Sequence, residues 1–213
     1  MYSMNLCKAL FVTHEGFANS IFRSQVIEHC ESMQKYNVSF DVLTFETFKS
    51  QLSSSQKNLT DYQKTGSVSV YLRKAVNMYL PGSTLVNSLL LFHHLVKLGR
   101  NNEYQFIHAR ADYTAFLCTL LKPLHKLDVV WDCRGDSVDE LRFSISKFPR
   151  IVRTLMYVLL MPRQQFFRLF ACRFSWKQVF VSKELEKVAL PHSVDKSPSI
   201  IPCPVPTNRF FFL

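Results

Sequence analysis

Six short runs rich in apolar and β-branched residues recur along the chain, and longer segments separate them. The runs cover residues 8–13, 38–45, 67–73, 105–110, 127–133 and 178–182. Runs of this length and composition predict β-strands. Their alternation with longer segments predicts a parallel sheet with helices on both faces, because parallel strands need crossover connections that pack against the sheet. The pattern therefore predicts an α/β protein.

The segment between the first two predicted strands has the spacing of an amphipathic helix. Its apolar residues recur three and four positions apart, namely Phe22, Val26, Ile27, Cys30 and Met33. This spacing places them in one stripe along a helix, and Asn19 or Ser20 would cap its N-terminus. Residues 83–98 and 113–124 predict two further helices that connect strands.

Two other segments depart from this regular pattern. Residues 49–64 are polar, serine-rich and without periodicity, so they predict a surface loop or a short irregular helix. Residues 151–176 are apolar and basic. Pro162 predicts a break or kink in this stretch, because proline lacks the N–H that a helix interior requires.

Composition indicates how many domains the chain can form and which charge its partners carry. With 213 residues, of which 47% are hydrophobic, the chain can build one domain around a single core. Its formal net charge of +10 favours anionic partners such as nucleotides or phospholipid head groups. Nucleic acid is not expected as a partner, because the sequence carries no recognisable nucleic-acid-binding module.

The cysteines and histidines do not indicate a metal site. The cysteines lack any paired spacing such as CxxC and lie in mostly apolar surroundings, at Cys7, Cys30, Cys118, Cys133, Cys172 and Cys203. His93 and His94 are adjacent on a predicted helix and project about 100° apart. We therefore expect reduced thiols, no metal and no cofactor. Because no stretch approaches the roughly 18 apolar residues of a membrane span, the expected location is the cytoplasm.

Ligands of parallel α/β sheets bind beyond the carboxyl ends of the strands, so the residues that follow each strand are the candidates for chemistry. Those candidates are His14, Glu15, Gly16, His108, Arg110, Asp132, Arg134, Gly135, Asp136, Ser182 and Lys183.

Several of these strand ends, taken in order, form a recognisable series. A helix containing Gln25 leads into a strand that ends at Glu46, and QFIHAR is followed by WDCRGDSVDE with its acidic pair Asp139 and Glu140. The run IIPCPVP closes the series. The series resembles the N-terminal domain of family 4 glycosyltransferases, which are retaining GT-B enzymes that build polysaccharides and lipopolysaccharides. The resemblance implies a Rossmann-like three-layer sheet that forms one half of a GT-B architecture.

The resemblance also implies that the acceptor and the donor bind to different domains. It implies that residues 1–205 form the acceptor-side domain and that residues 206–213 begin a linker to a donor-binding domain, which the chain does not contain. A domain of that kind would add about 150 residues. The donor would be a nucleotide-sugar, the acceptor a saccharide or a lipid-linked saccharide, and a second chain could supply the donor domain. We expect no turnover from this chain alone.

Roles for individual residues follow from the same resemblance. His108 would be the catalytic residue, and the substrate-binding residues would be Gly16, Arg110, Asp132, Arg134 and Gly135. For most of these residues a purely structural role is the alternative. His108 could bond a backbone carbonyl, Asp132 and Arg134 could brace a turn at Gly135, and Gly16 could form a simple turn.

The region from Leu141 to Lys183 contains no acidic residue, and basic side chains alternate there with leucine, methionine and phenylalanine. This composition is typical of a membrane interface. The residues expected to touch an anionic membrane, on the inner face, are Arg150, Arg153, Arg163 and Arg168. The alternative is a packed helix pair with a basic rim. An alternative function is therefore a non-enzymatic, peripheral membrane-binding or scaffold protein that keeps the fold.

Overall fold

A parallel β-sheet of seven strands forms the centre of the molecule. The computed structural model describes residues 6–17, 22–47, 49–64, 66–80, 82–101, 103–189 and 198–201. The strands are β1 (Cys7–Thr13), β2 (Val38–Glu46), β3 (Ser69–Lys74), β4 (Phe106–Arg110), β5 (Asp128–Cys133), β6 (Lys177–Phe180) and β7 (Ser199–Ile200). Their order in the sheet is β3-β2-β1-β4-β5-β6-β7, and every pair is parallel. All six predicted strands are present, and β7 adds a seventh.

Helices connect the strands on both faces. They are α1 (Glu28–Met33), α2 (Lys49–Gln63), α3 (Ser83–Asn101), α4 (Asp112–Leu120), α5 (Lys122–His125), α6 (Ser137–Ser146), α7 (Arg150–Phe174) and α8 (Lys183–Ala189). A π-helical turn at Arg23–Ile27 precedes α1, and a 3-10 turn at Gln34–Tyr36 follows it. The predicted cap at Asn19 or Ser20 and the predicted linker at 206–213 lie outside the described residues.

Side chains that alternate along the strands pack into two separate hydrophobic cores, one on each face of the sheet. On one face, here called the α1 face, Ala9, Phe11 and Val42 pack against Val26 and Cys30. Successive side chains of a strand point to opposite faces. The neighbouring residues therefore join the core of the other face, the α4 face, which includes Leu10, Val12, Trp131, Leu117, Cys118 and Ala171.

The strand order reverses between β1 and β4. The chain builds the sheet outward through β2 and β3 on one side and through β5, β6 and β7 on the other. The connections that follow β1 and β4 therefore diverge to opposite faces and leave a crevice at the carboxyl ends of these two strands, where ligands of such sheets bind.

Two predictions of local structure were wrong. Residues 49–63, predicted as a loop or short irregular helix, form a helix of 15 residues. Residues 150–174, predicted to break or kink at Pro162, are not broken there but form one continuous helix of 25 residues. Proline is tolerated there because Pro162 lies on the exposed surface. The carbonyl of Val158, which loses its partner, is at the same surface, where water can bond it.

Candidate functional site

A cleft of about 270 Å³ opens at the carboxyl ends of β1 and β4, at the point where the strand order reverses. Its walls come from the end of β1, the end of β4 with the start of α4, the loop before α3, and the facing sides of α6 and α7. This is the position at which ligands of parallel α/β sheets bind, beyond the carboxyl ends of the strands.

His14 is the histidine that lines this cleft. Its ring stacks on Phe45 at 4.7 Å between centroids, and its Nδ1 lies 3.0 Å from the hydroxyl of Thr114. Burial lowers the pKa of His14 to about 3, so the ring is neutral at pH 7. Its other nitrogen, Nε2, is buried and has no hydrogen-bond partner among the described residues. A neutral imidazole in this state can exchange a hydrogen bond with a ligand hydroxyl.

Arg110 reaches the cleft from the end of β4. Only 3% of the residue is exposed. Its Nε donates to Glu15 Oε1 at 3.0 Å, and its Nη2 donates to Gln25 Oε1. Two atoms of this group have no partner within the described part of the chain, Arg110 Nη1 and Glu15 Oε2. Buried polar atoms without hydrogen-bond partners each cost about 1–3 kcal/mol. This wall of the cleft therefore has hydrogen-bonding capacity that the described residues leave unused.

Ala111 holds a strained backbone conformation in the same wall. Its φ is 68° and its ψ is 161°, a region that residues with a Cβ rarely occupy and that costs about 1–3 kcal/mol. Its N–H donates to the carbonyl of Asp132 at 3.0 Å, which fixes the turn from β4 into α4. Strain of this kind concentrates at binding sites, where the surrounding structure enforces it.

A buried ion-pair cluster forms the opposite wall. Arg168 donates from Nε to Asp112 Oδ2 at 3.0 Å and from Nη2 to Asp136 Oδ1 at 2.7 Å. The hydroxyl of Ser137 donates to Asp112, and Gln164 donates to that hydroxyl at 2.8 Å. Asp136 also accepts the backbone N–H groups at the start of α6. The cluster therefore ties together α4, α6 and α7.

Glu140 stands at the open side of the cleft beside Tyr79. Partial burial and the charges of Asp112, Asp136 and Glu15 raise its pKa, although Arg168 opposes this effect. Three carboxylate side chains, those of Glu15, Asp112 and Glu140, thus line the cleft with the single guanidinium of Arg110. Arg110 pairs with Glu15, and Arg168 pairs with Asp112 from behind the wall. Neither cation is therefore left without an ion-pair partner to bind a phosphate, and this arrangement favours a neutral ligand that donates hydroxyl groups.

The two glycines predicted to bind substrate, Gly16 and Gly135, each lie against a glutamate carboxylate that a Cβ would displace. A Cβ at Gly16 would lie 1.8 Å from Glu46 Oε2, which also accepts a hydrogen bond from Ser55 at 2.8 Å. A Cβ at Gly135 would lie 2.5 Å from Glu140 Oε1. Neither glycine is in the wall of the cleft. Substrate binding by these glycines stays a prediction, and their placement favours a packing role.

His108, Asp132 and Arg134 form a separate buried cluster under α1. His108 stacks on Phe11 at 4.7 Å, and its Nε2 lies 3.1 Å from Asp132 Oδ2. Arg134 Nε lies 2.7 Å from Asp132 Oδ1. Burial alone would raise the pKa of Asp132, but His108 and Arg134 lower it to about 2.

None of these three side chains lines the cleft. The catalytic role of His108 and the substrate-binding roles of Asp132 and Arg134 remain predictions. Their placement fits the structural alternative, in which the ion pairs brace the ends of β4 and β5. The sequence placed His14 among the strand-end candidates and Glu140 in an acidic pair but gave neither a role, and it did not single out Asp112.

The four arginines predicted to touch a membrane divide into two pairs. Arg150 is exposed and Arg153 is half-buried at the start of α7. Arg163 donates to the hydroxyls of Ser83 and Thr84. Arg168 is buried in the cluster with Asp112. The membrane role of Arg168 is therefore corrected, because its ion pairs hold the guanidinium inside the protein.

The described residues contain neither a metal-binding cluster nor a membrane-spanning helix. Within the ranges given above, no three His, Cys, Asp or Glu side chains lie close enough together to hold a metal ion. Across the same ranges, no helix combines the length and the apolar character that crossing a bilayer demands.

No protein-family model matches this sequence, and no curated protein sequence matches it. Solved structures do match its fold. Apo UGT2 from Phytolacca americana is 10% identical over 92% of this chain and 51% of its own, with a TM-score of 0.57. Anabaena Alr3699/HepE, solved in complex with UDP and glucose, is 12% identical over 95% of this chain and 46% of its own, with a TM-score of 0.53.

The UDP-GlcNAc 2-epimerase from Methanocaldococcus jannaschii is 10% identical over 92% of this chain and 44% of its own, with a TM-score of 0.52. The chain spans about half the length of these structures. At such identities the similarity shows the fold alone. The predicted fold is confirmed: the chain has a Rossmann-like α/β fold that these structures share over about half of their length.

Proposed function

We propose that this protein is the acceptor-side domain of a family 4-like glycosyltransferase and that it binds a saccharide, free or lipid-linked, in the cleft between β1 and β4. One observation carries the proposal. Three buried polar atoms of cleft residues have no partner among the described residues, namely His14 Nε2, Glu15 Oε2 and Arg110 Nη1. All three atoms are covered by protein atoms, so a saccharide hydroxyl, which can both donate and accept hydrogen bonds, would satisfy them once side chains of the cleft wall move aside.

In this proposal His14 accepts a hydrogen bond from the hydroxyl that receives the sugar. Thr114 holds Nδ1 at 3.0 Å, which leaves Nε2 for the ligand. An imidazole that is held in orientation by a third group and is neutral at pH 7 has the arrangement of a general base, although its lowered pKa makes it a weak one. Glu15 and Glu140 would accept hydrogen bonds from further sugar hydroxyls.

The nucleotide-sugar would be bound elsewhere in this proposal. The arginines beside the cleft already pair with Glu15 and Asp112, and the third carboxylate, that of Glu140, repels a pyrophosphate. The donor would therefore bind to a second Rossmann-like domain, on this polypeptide or on a second chain. The solved GT-B structures, which are about twice the length of this chain, support such a division.

Saturation-transfer NMR on the purified protein tests the proposal. The probes are neutral sugars (glucose, galactose, mannose, N-acetylglucosamine and their disaccharides) and, separately, UDP-glucose. We expect transfer to at least one neutral sugar and an affinity at least about 10-fold lower in His14→Ala, which is the loss of one hydrogen bond to a buried group. His93→Ala, at an exposed histidine of α3, is the matched control and should bind as the wild type does.

Two results would contradict the proposal. One is the absence of transfer to any neutral sugar. The other is tight binding of UDP-glucose that His14→Ala abolishes, since the cleft would then be a donor site.

A further inference from the structure

The helix α7 is longer than the sheet that it crosses. Its 25 residues span about 37 Å at 1.5 Å per residue, whereas the six residues of β5 span about 20 Å. Residues 150–160 are all exposed or half-buried, and the buried positions begin at Met161. Because α7 runs from the carboxyl end of β5 back to the start of β6, this first part extends beyond the carboxyl edge of the sheet.

Among the described residues, α6 supplies the buried side chains that support the extended part. Val138, Leu141 and Ile145 of α6 form a small core with Met161, and Met156, Tyr157 and Leu160 pack against it. Residues 137–160 therefore make a helical hairpin, here called the α6–α7 hairpin. The cleft lies beside it, because Ser137, Glu140 and Leu141 contribute to the cleft wall.

The outer side of the hairpin is apolar. Ile151 is 85% exposed, Leu155 59%, Val158 66% and Leu159 59%. Their spacing of four, three and one places them in one stripe along α7, here called the outer stripe. Phe148, which is 46% exposed, precedes it at the tip. A row of exposed apolar side chains along one helix is typical of a site of interaction.

The charges around the outer stripe define its partner. No acidic residue occurs between Leu141 and Lys183, and Lys147 and Arg150 are exposed at the tip. A second copy of a chain with a net charge of +10 would oppose basic residues to basic residues. An anionic bilayer offers an apolar interior for the stripe and negative head groups for the basic side chains.

We propose that the outer stripe of the α6–α7 hairpin docks on an anionic membrane, with Ile151, Leu155 and Val158 at the boundary between head groups and acyl chains. Lys147 and Arg150 contact the head groups. Docking in this way places the cleft at the membrane surface. The proposal does not depend on the chemistry of the cleft.

Sedimentation with vesicles tests this docking. The vesicles contain phosphatidylcholine alone or mixed with phosphatidylglycerol, and the protein variants are Leu155→Asp and Leu124→Asp. The two leucines are matched, since they are 59% and 60% exposed and lie on different helices. We expect wild type and Leu124→Asp to sediment with the mixed vesicles and Leu155→Asp to bind at least about 10-fold more weakly.

Several outcomes would overturn the proposal. Failure of the wild type to bind mixed vesicles would do so, as would equal weakening by the two substitutions, which would indicate a general effect of charge. Light scattering that shows a dimer dissociated by Leu155→Asp would make a second copy the occupant. Because no sugar is present in this assay, its result is separate from that of the sugar-binding experiment.

Discussion

Gly16 and Gly135 have similar environments in two loops, one after β1 and one after β5. Each follows a strand, and each lies directly against the carboxylate of a glutamate. The two carboxylates differ in their freedom to move. Glu46 is 4% exposed and bonded to Ser55, whereas Glu140 is at the open side of the cleft. The same substitution should therefore have different consequences at the two positions.

We expect Gly16→Ala to destabilise the protein by about 2–4 kcal/mol, because the new methyl group must displace a buried, hydrogen-bonded carboxylate. Gly135→Ala should cost less than about 1 kcal/mol, since the Glu140 side chain can turn outward. Urea denaturation of both variants measures the two values. Equal losses of unfolding free energy would show that the glycines act through another contact.

The sequence could not distinguish His14 from His108 as the histidine of the cleft, since one directly follows a predicted strand and the other lies near the end of one. The distinction depends on the aromatic rings around each of them. Phe11 and Phe40 enclose His108 under α1, whereas His14 stacks on Phe45 and reaches Thr114, which is 100 residues away in the chain. Contacts between such distant residues leave no local pattern in a sequence.

At the level of elements, the strands were predictable because buried parallel strands are continuous apolar runs. The helix α2 was not, because its buried stripe is interrupted by a polar residue. Leu59 and Tyr62 pack on the α1-face core, but the fully buried position is Ser55, which bonds Glu46. A search for apolar periodicity counts Ser55 as solvent-exposed and therefore misses the helix.

Arg168 determines how α7 is attached to the rest of the domain. We expect Arg168→Met to destabilise the protein by about 3–5 kcal/mol, because it leaves the carboxylate of Asp112, which is 1% exposed, without its cation. Arg150→Met, at an exposed arginine of the same helix, should change stability by less than about 0.5 kcal/mol. Thermal unfolding compares the two variants. A similar effect of both would contradict the assignment of Arg168 to the buried cluster.

For the whole molecule, the net charge of +10 does not describe the charges of the cleft. It favours an anionic partner in general, yet carboxylates outnumber the single arginine among the charged side chains in the cleft wall. Basic residues instead accumulate between Leu141 and Lys183. Net charge is a sum over the chain, and only the folded arrangement separates a cleft whose arginines are ion-paired from a helix with exposed basic residues.

The stability of the whole domain should depend on pH through its buried histidines. Burial lowers the pKa of His14 to about 3 and, with the nearby His108 and Arg134, lowers that of His29 to about 4. The unfolded chain binds protons at these residues near pH 6.5, whereas the folded chain does not. Their stabilisation is thus present above about pH 6.5 and is lost as the pH falls toward 4.

We expect the free energy of unfolding to fall by about 1 kcal/mol or more per histidine between pH 7.5 and 5. Asp132, with a pKa near 2, contributes no change in this range, because its stabilisation is lost only below about pH 4. Urea denaturation at the two pH values should show a weaker dependence in the double variant of His14→Gln and His29→Gln. The exposed His93→Gln is the control, and an unchanged dependence in the double variant would refute the prediction.

The two cores on opposite faces of one sheet also determine how the protein opens. Cys30 is buried on the α1 face and Cys118 on the α4 face, and burial raises the pKa of both thiols. A thiol reacts as its thiolate and only when a reagent can reach it. Each cysteine therefore reports the opening of its own face. Because β1 and β2 contribute side chains to both cores, separating either layer exposes strands that the other layer needs, and the two thiols should become reactive in the same cooperative opening.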